Sequence, residues 1–318
     1  MKNLNSKKII GTIVLLVTLS ISVFGQGNTV YEFLRNEPSA RVAALGGSFL
    51  MASDDPNTIF YNPAGIATLS STKLSIGFMK HLLDINAGFL SYGMELKDIG
   101  MIGAGVKYIN YGDFKRTGEE GQDLGTFKAG EFAFILGYGA ELIENLNYGV
   151  NAKFIYSSIA EVNSSGAALD FGLSYFAIPR MLHVGASVTN LGTQFDPYMN
   201  TREKLPLDVA VGAAVYPEHL PAIVFIDFHK LTESEQNFID HLKHFSIGVE
   251  FLASPNFQLR VGYNNERRQE LELGQTAGMA GFSVGGGFFN DMYNVDYGFT
   301  SLGKIGAIHR INIGFRFE

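Results

Sequence analysis

Apolar and polar side chains alternate with a period of two through much of the chain, the pattern of a strand whose faces meet different surroundings. Ile311, Ile313, Phe315 and Phe317 interleave with Arg310, Asn312, Gly314 and Arg316. Phe245, Ile247, Val249 and Phe251 alternate with His244, Ser246, Gly248 and Glu250, and Phe257, Leu259, Val261 and Tyr263 with Gln258, Arg260, Gly262 and Asn264. Tyr293, Val295, Tyr297 and Phe299 face away from Asn294, Asp296, Gly298 and Thr300. In these segments charge sits on one face only, and the other is aliphatic or aromatic. That combination predicts strands that show lipid their apolar side.

Segments of this kind recur between residues 73 and 317 about fourteen times, an even number, and most are as long as the roughly 9–11 residues a tilted strand needs to cross a bilayer. The predicted connections alternate in length. The long ones are 110–130, 191–204, 231–242, 265–278 and 301–307, while Lys97-Asp98, Pro179-Arg180 and Ser254-Pro255 are tight turns. Bacterial barrels have short periplasmic turns and long outer loops, so the odd-numbered links face outward and both chain ends lie in the periplasm. The expected fold class is all-β: a transmembrane antiparallel β-barrel with a small N-terminal plug. Strand 9 departs from alternation at Val224-Phe225-Ile226.

Composition sharpens this picture. A basic start, Met1 to Lys8, precedes fifteen apolar residues from Ile9 to Val23 and then Phe24-Gly25-Gln26, which reads as a secretory signal peptide over 1–25. Its removal takes Lys2, Lys7 and Lys8 but no acid, moving the net charge from −7 to −10, which argues against nucleic acid as a partner. Without cysteine there is neither a disulfide framework nor a thiolate metal site. With 26 Phe, 14 Tyr and 37 Gly, the chain suits an apolar exterior around a small-residue interior. A soluble β-sandwich shares that composition, but its polar face favours Lys, Glu and Thr over this much Gly and Ser. The absence of Trp leaves Tyr and Phe to form the interfacial girdles.

Residues 26–72 lack strand character and are read as the plug, with the barrel over 73–318. Asp55 before Pro56 and Asn62 before Pro63 each set a capping side chain ahead of a proline at a first helical position, predicting two short helical turns. Gly46-Gly47 permits close backbone approach. The run Ser39-Ala40-Arg41-Val42-Ala43-Ala44-Leu45-Gly46-Gly47, then Asp54-Asp55, then Tyr61-Asn62-Pro63-Ala64-Gly65, resembles the start of PorV/PorQ proteins. So does Tyr108 to Phe114 followed by Gly125 to Gly130, which is similar to a loop of PorQ-like members. The resemblance implies a fourteen-stranded barrel related to the FadL transporters, whose hatch carries an Asn-Pro-Ala element. It marks Gly46, Gly47, Asp54, Asp55, Asn62, Pro63, Ala64 and Gly65 as hatch residues. Asn110, Tyr111, Gly112, Phe114, Gly125, Thr126 and Phe127 become a candidate partner-docking loop. One departure is the chain end, where Phe317 is followed by Glu318.

No nucleophile elbow, metalloprotease helix, phosphate loop or dinucleotide fingerprint occurs in a credible context, so neither an enzyme nor a cofactor is expected. His241-x-x-His244 has helical ligand spacing, with Thr232 and Glu235 as candidate caps, yet reads more simply as solvated loop; Glu119, Glu120 and Asp123 read likewise. Inner-face charges Lys107, Lys153, Asp208, Glu250, Arg260, Asp296, Arg310 and Arg316 are expected to pair across the lumen. Two functions follow. By resemblance, the barrel is an anchor in type IX secretion and surface attachment, with outer-membrane lipid and attachment-complex subunits as partners. The alternative is a FadL-like channel for a small hydrophobic ligand, for which the inner face offers apolar lining only near Phe33, Leu45, Phe49 and Ile59.

Overall fold

The computed structural model describes residues 29–233, 238–272 and 278–317. The signal peptide expected at 1–25 and Glu318 lie outside them. Fourteen strands follow the plug: β1 (Thr72–Lys80), β2 (Asn86–Leu96), β3 (Gly100–Thr117), β4 (Asp123–Ile143), β5 (Leu146–Ile159), β6 (Val162–Ile178) and β7 (Leu182–Asp196). The second half comprises β8 (Asp208–Val215), β9 (Ala222–Phe228), β10 (Phe245–Ser254), β11 (Phe257–Asn264), β12 (Phe282–Phe289), β13 (Tyr293–Ser301) and β14 (Ala307–Phe317). Each pairs antiparallel with its neighbours in sequence, and β14 closes on β1 from Thr72 opposite Phe317 to Lys80 opposite His309. Closure leaves no free edge within the barrel wall, the condition for a sheet in hydrocarbon.

The predicted faces are the observed ones. Ile311, Ile313, Phe315 and Phe317 are exposed, as are Leu259, Val261, Tyr293, Val295 and Tyr297, while Arg260, Asp296, Arg310 and Asn312 are buried inside. So many exposed large apolar residues would aggregate in water; around a closed barrel they form the lipid-facing band. Among the described residues no helix is long and apolar enough to cross a membrane.

One expectation about the strands needs revision. The stretch 110–130 is not a loop: β3 and β4 stay paired through Asp113–Lys128, Phe114–Phe127 and Thr117–Asp123, leaving a turn of only 118–122. A bulge between Asn110 and Asp113, with Gly112 at φ +83°, absorbs the extra residue and carries the hairpin past the barrel wall. Neighbouring pairing stops short of it, since β2 reaches only Asn110 and β5 only Ala129. In β9, Phe225 and Asp227 both point inward and are buried. The apolar inner residue that blurred the alternation packs on the plug, in one cluster with Val42, Leu45, Phe49 and Met51.

Candidate functional site

Two of the short turns of the plug are capped by its own side chains. Asp55 Oδ1 accepts from Asn57 N at 2.9 Å, opening the 3₁₀ turn Pro56–Phe60, and Asn62 Oδ1 accepts from Ala64 N at 3.1 Å, opening Pro63–Thr68. Both caps precede a proline, whose missing N–H costs nothing at a first helical position. The helix Ala40–Ala44 starts where Ala40 N donates to Asn312 Oδ1 at 3.0 Å.

Inner-face glycines make room for these turns. A Cβ on Gly149 would strike the backbone of Pro63 and Ala64, one on Gly262 that of Ala44 to Gly46, and one on Gly298 that of Ala40. Gly46, at φ +69°, lies against the Tyr263 backbone, and Gly47 follows at φ +93° beside the Glu37 carboxylate. The hatch residues therefore do not converge on one point. Gly46 and Gly47 face β11, Asp54 and Asp55 face β1 and Arg41, and Asn62 to Gly65 face β5 and β6 or fold back on Thr58. Gly46, Gly47, Asp54, Asn62, Pro63 and Ala64 lie where the plug meets the wall, while Asp55 and Gly65 pack within the plug.

A buried charge network locks that junction. Glu250 accepts from Arg41 Nε at 2.9 Å and Nη2 at 2.8 Å and from Arg260 Nε at 2.6 Å. Arg260 reaches on to Asp296 at 2.5 Å, and Arg41 to Asp55 at 2.9 Å. Asp227 Oδ2 accepts the backbone N–H groups of Phe49 at 2.6 Å and Leu50 at 2.8 Å. Lys73 Nζ lies 2.6 Å from Asp54 Oδ1, which also takes the Ser70 N–H at 2.9 Å. Burial opposes the Asp54 charge, but these donors hold its carboxyl below the usual carboxylate range.

The inner-face charges do pair, but along the wall and not across the lumen as expected: Arg260 with Glu250, its register partner on β10, and with Asp296 on β13, and Lys153 with Asp170 at 2.9 Å. Elsewhere the partner is different. Lys107 Nζ donates to Leu34 O at 2.9 Å, Arg310 Nε to Glu37 O at 2.6 Å, and Asp208 lies 3.6 Å from His229. Arg316 approaches Asp54 at 4.0 Å. Asp227, Asp170, Glu37 and Arg41 were missed by sequence reasoning. Asp227 sits in an otherwise apolar strand, and nothing in the one-dimensional pattern says that a plug backbone lies opposite it.

Towards the end of the barrel that carries the β3–β4 hairpin the inner surface changes character. Met79, Ala87, Ile109, Ala133, Ile155, Ala168 and Ile308 make the wall of an apolar chamber, contrary to the expectation that apolar lining comes only from near the plug. Its contents are the first described residues: Val30, Tyr31, Phe33 and Leu34 are buried in it as a strap. Val30 N donates to Lys204 O at 2.9 Å, and the Tyr31 hydroxyl meets Ser164 Oγ at 2.5 Å. Between strap and hatch lies a cavity of about 120 Å³ bordered by Leu34, Phe60, Tyr61, Asp208 and His229. Among the described residues no cluster of three or more His, Asp or Glu is arranged to hold a metal ion. Of the candidate docking residues, Tyr111 packs against this chamber and donates to Glu131 Oε2 at 2.6 Å, while Asn110, Gly112, Phe114, Gly125, Thr126 and Phe127 belong to the β3–β4 hairpin outside it.

No family model and no curated protein sequence matches the chain. Solved structures do. The Pseudomonas putida toluene transporter TodX superposes with a TM-score of 0.59 at 12% identity, over 87% of this chain and 98% of that one. The Ralstonia pickettii toluene transporter TbuX gives 0.58 at 14%, over 91% and 100%. A Pseudomonas aeruginosa FadL homologue gives 0.52 at 10%, over 88% and 98%. The fold is that of the FadL-like outer-membrane barrels. At such identities the likeness is one of fold; TodX and TbuX are the two named as toluene transporters.

Proposed function

We propose that this chain is a plugged FadL-like barrel that admits a small hydrophobic compound from outside, the strap yielding its place in the upper chamber and the hatch controlling release. The observation that carries the reading is the apolar inner wall from Met79 to Ile308, filled by Val30, Phe33 and Leu34. Burying apolar surface is non-directional, so any apolar body of suitable size can replace the strap against that wall. TodX and TbuX, named as toluene transporters, support the same reading through their fold.

The test uses the absence of cysteine. Thr29 and Lys204 are bridge partners. With both replaced by Cys, oxidation clamps the strap in place. Uptake of a labelled monoaromatic compound into a Gram-negative host lacking such channels should rise with the wild-type barrel, fall to background in the oxidised double variant and return on reduction. Uptake indifferent to the clamp would remove the strap from the pathway.

A second reading, a PorV/PorQ-type anchor for type IX secretion, is favoured by the protruding β3–β4 hairpin, which carries the stacked pair Phe114 and Phe127 with ring centroids 5.2 Å apart. The motifs at 39–47, 54–55 and 61–65 support it too. Surface subunits that co-purify with the native barrel and are lost on replacing both phenylalanines by Ala would establish this role; a barrel recovered alone would count against it.

A further inference from the structure

Resting on the transport reading, we infer that Lys107 makes the chamber selective for apolar cargo bearing a hydrogen-bond acceptor oxygen, as a ketone or ester does, over plain hydrocarbons of the same shape. Lys107 is 4% exposed on the inner face of β3. Its register neighbours are Phe89 of the hatch-side apolar cluster and Ala133 of the chamber wall, which puts it at the chamber floor. Its one hydrogen bond among the described residues goes to the strap, Leu34 O at 2.9 Å. Around it lie the rings of Phe60 at 5.4 Å and Tyr61 at 5.6 Å, and it makes no hydrogen bond to the Tyr61 hydroxyl.

Lys153, one strand-pair away, is satisfied differently. It donates to Asp170 and to Asn190 Oδ1 at 2.8 Å, both in the barrel wall, and so keeps its partners wherever the strap is. Lys107 loses its acceptor when the strap leaves. A hydrocarbon that takes the strap's place leaves a buried donor unpaired, whereas a carbonyl compound restores the bond that Leu34 O made. Discrimination of this kind is strong because the penalty falls on the site and not only on the ligand. The Tyr61 hydroxyl, buried and without a partner among the described residues, gives a second donor, beside the cavity that Leu34 and Phe60 also border.

The experiment compares uptake of radiolabelled acetophenone and ethylbenzene, which share a carbon skeleton and differ by the carbonyl, with the full-length protein in the outer membrane and barrel-free cells as background. Wild type should admit acetophenone roughly tenfold or more faster, and Lys107→Met, checked as a heat-modifiable barrel, should admit the two alike. Lys107→Gln, which keeps a shorter donor, should retain a reduced preference and carries the test if the Met variant does not insert. Equal wild-type uptake of both compounds overturns the inference while leaving transport standing. Uptake of neither above background overturns both, and a preference unchanged in the variants removes Lys107 from the role.

Discussion

The strap and the hatch fill the same barrel by opposite means. The strap is held mainly by apolar contact in the chamber, with a few hydrogen bonds such as Tyr31 to Ser164 and Leu34 O to Lys107. The hatch also has apolar contacts, but its rim is tied by Arg41, Glu250, Arg260 and Asp296 and by Asp227 on two backbone N–H groups. Hydrophobic burial is indifferent to the identity of the apolar partner, whereas a buried ion pair accepts only its complement. On the transport reading, one half of the lumen is replaceable by cargo, and the other is specific to the plug.

The sharpest way to break this contrast is to remove the shared acceptor of the latch. Glu250→Ala leaves Arg41 and Arg260 without their common partner, and stripping one side of a buried pair costs about 3–5 kcal/mol. The variant should show ion conductance in planar bilayers and lose its folded form at lower temperature, while deletion of residues 29–36 should leave the hatch non-conducting. Conductance from the strap deletion but not from Glu250→Ala would reverse the assignment.

A smaller effect is expected where backbone meets backbone. Gly149→Ala puts a methyl into Pro63 and Ala64, and Gly262→Ala into Leu45 and Gly46. Overpacking of this kind costs about 1–3 kcal/mol. Gly286→Ala meets nothing closer than 3.4 Å and serves as the control, expected to stay within about 0.5 kcal/mol of wild type. The readout is the temperature at which the unboiled barrel converts to the unfolded form on a gel. Equal shifts at all three sites would mean that glycine matters there for strand geometry and not for seating the hatch.

How far the sequence was legible follows from which interactions are local. The faces of β10, β11, β13 and β14 were readable because period two is a property of a single strand. The caps at Asp55 and Asn62 were readable because cap and first turn are adjacent. The chamber was not: Met79, Ala87, Ile109 and Ala133 are inner-face residues in strands whose inner faces also hold Ser, Gly and Lys, and only closure of the barrel places them at one level. The hairpin beyond the wall was hidden because Gly112 and the charges of 113–123 look like loop, while the pairing of Phe114 with Phe127 depends on a bulge that no composition rule locates. Asp227 and Glu37 act on partners more than 170 residues away, a distance over which the chain carries no local signal.

The last contrast concerns acid. Glu37 joins strap to hatch: its carboxylate accepts from Arg267 Nη2 at 2.9 Å, in the helix Asn265–Glu270 that follows β11. Burial pushes its pKa up, but the charges of Arg267 and Arg310 outweigh this and hold it below the ordinary carboxylate value. A depressed folded-state value means that the contribution is complete above the unfolded pKa of about 4.3 and is lost as pH falls through the lower folded value. Protection of the strap from protease should accordingly be constant from neutral pH down to mild acid and decline only in strong acid. Glu37→Gln should weaken protection at neutral pH and flatten that decline, since the amide carries no charge to lose. Release of the wild-type strap between neutral and mildly acidic pH would point to a histidine and away from Glu37.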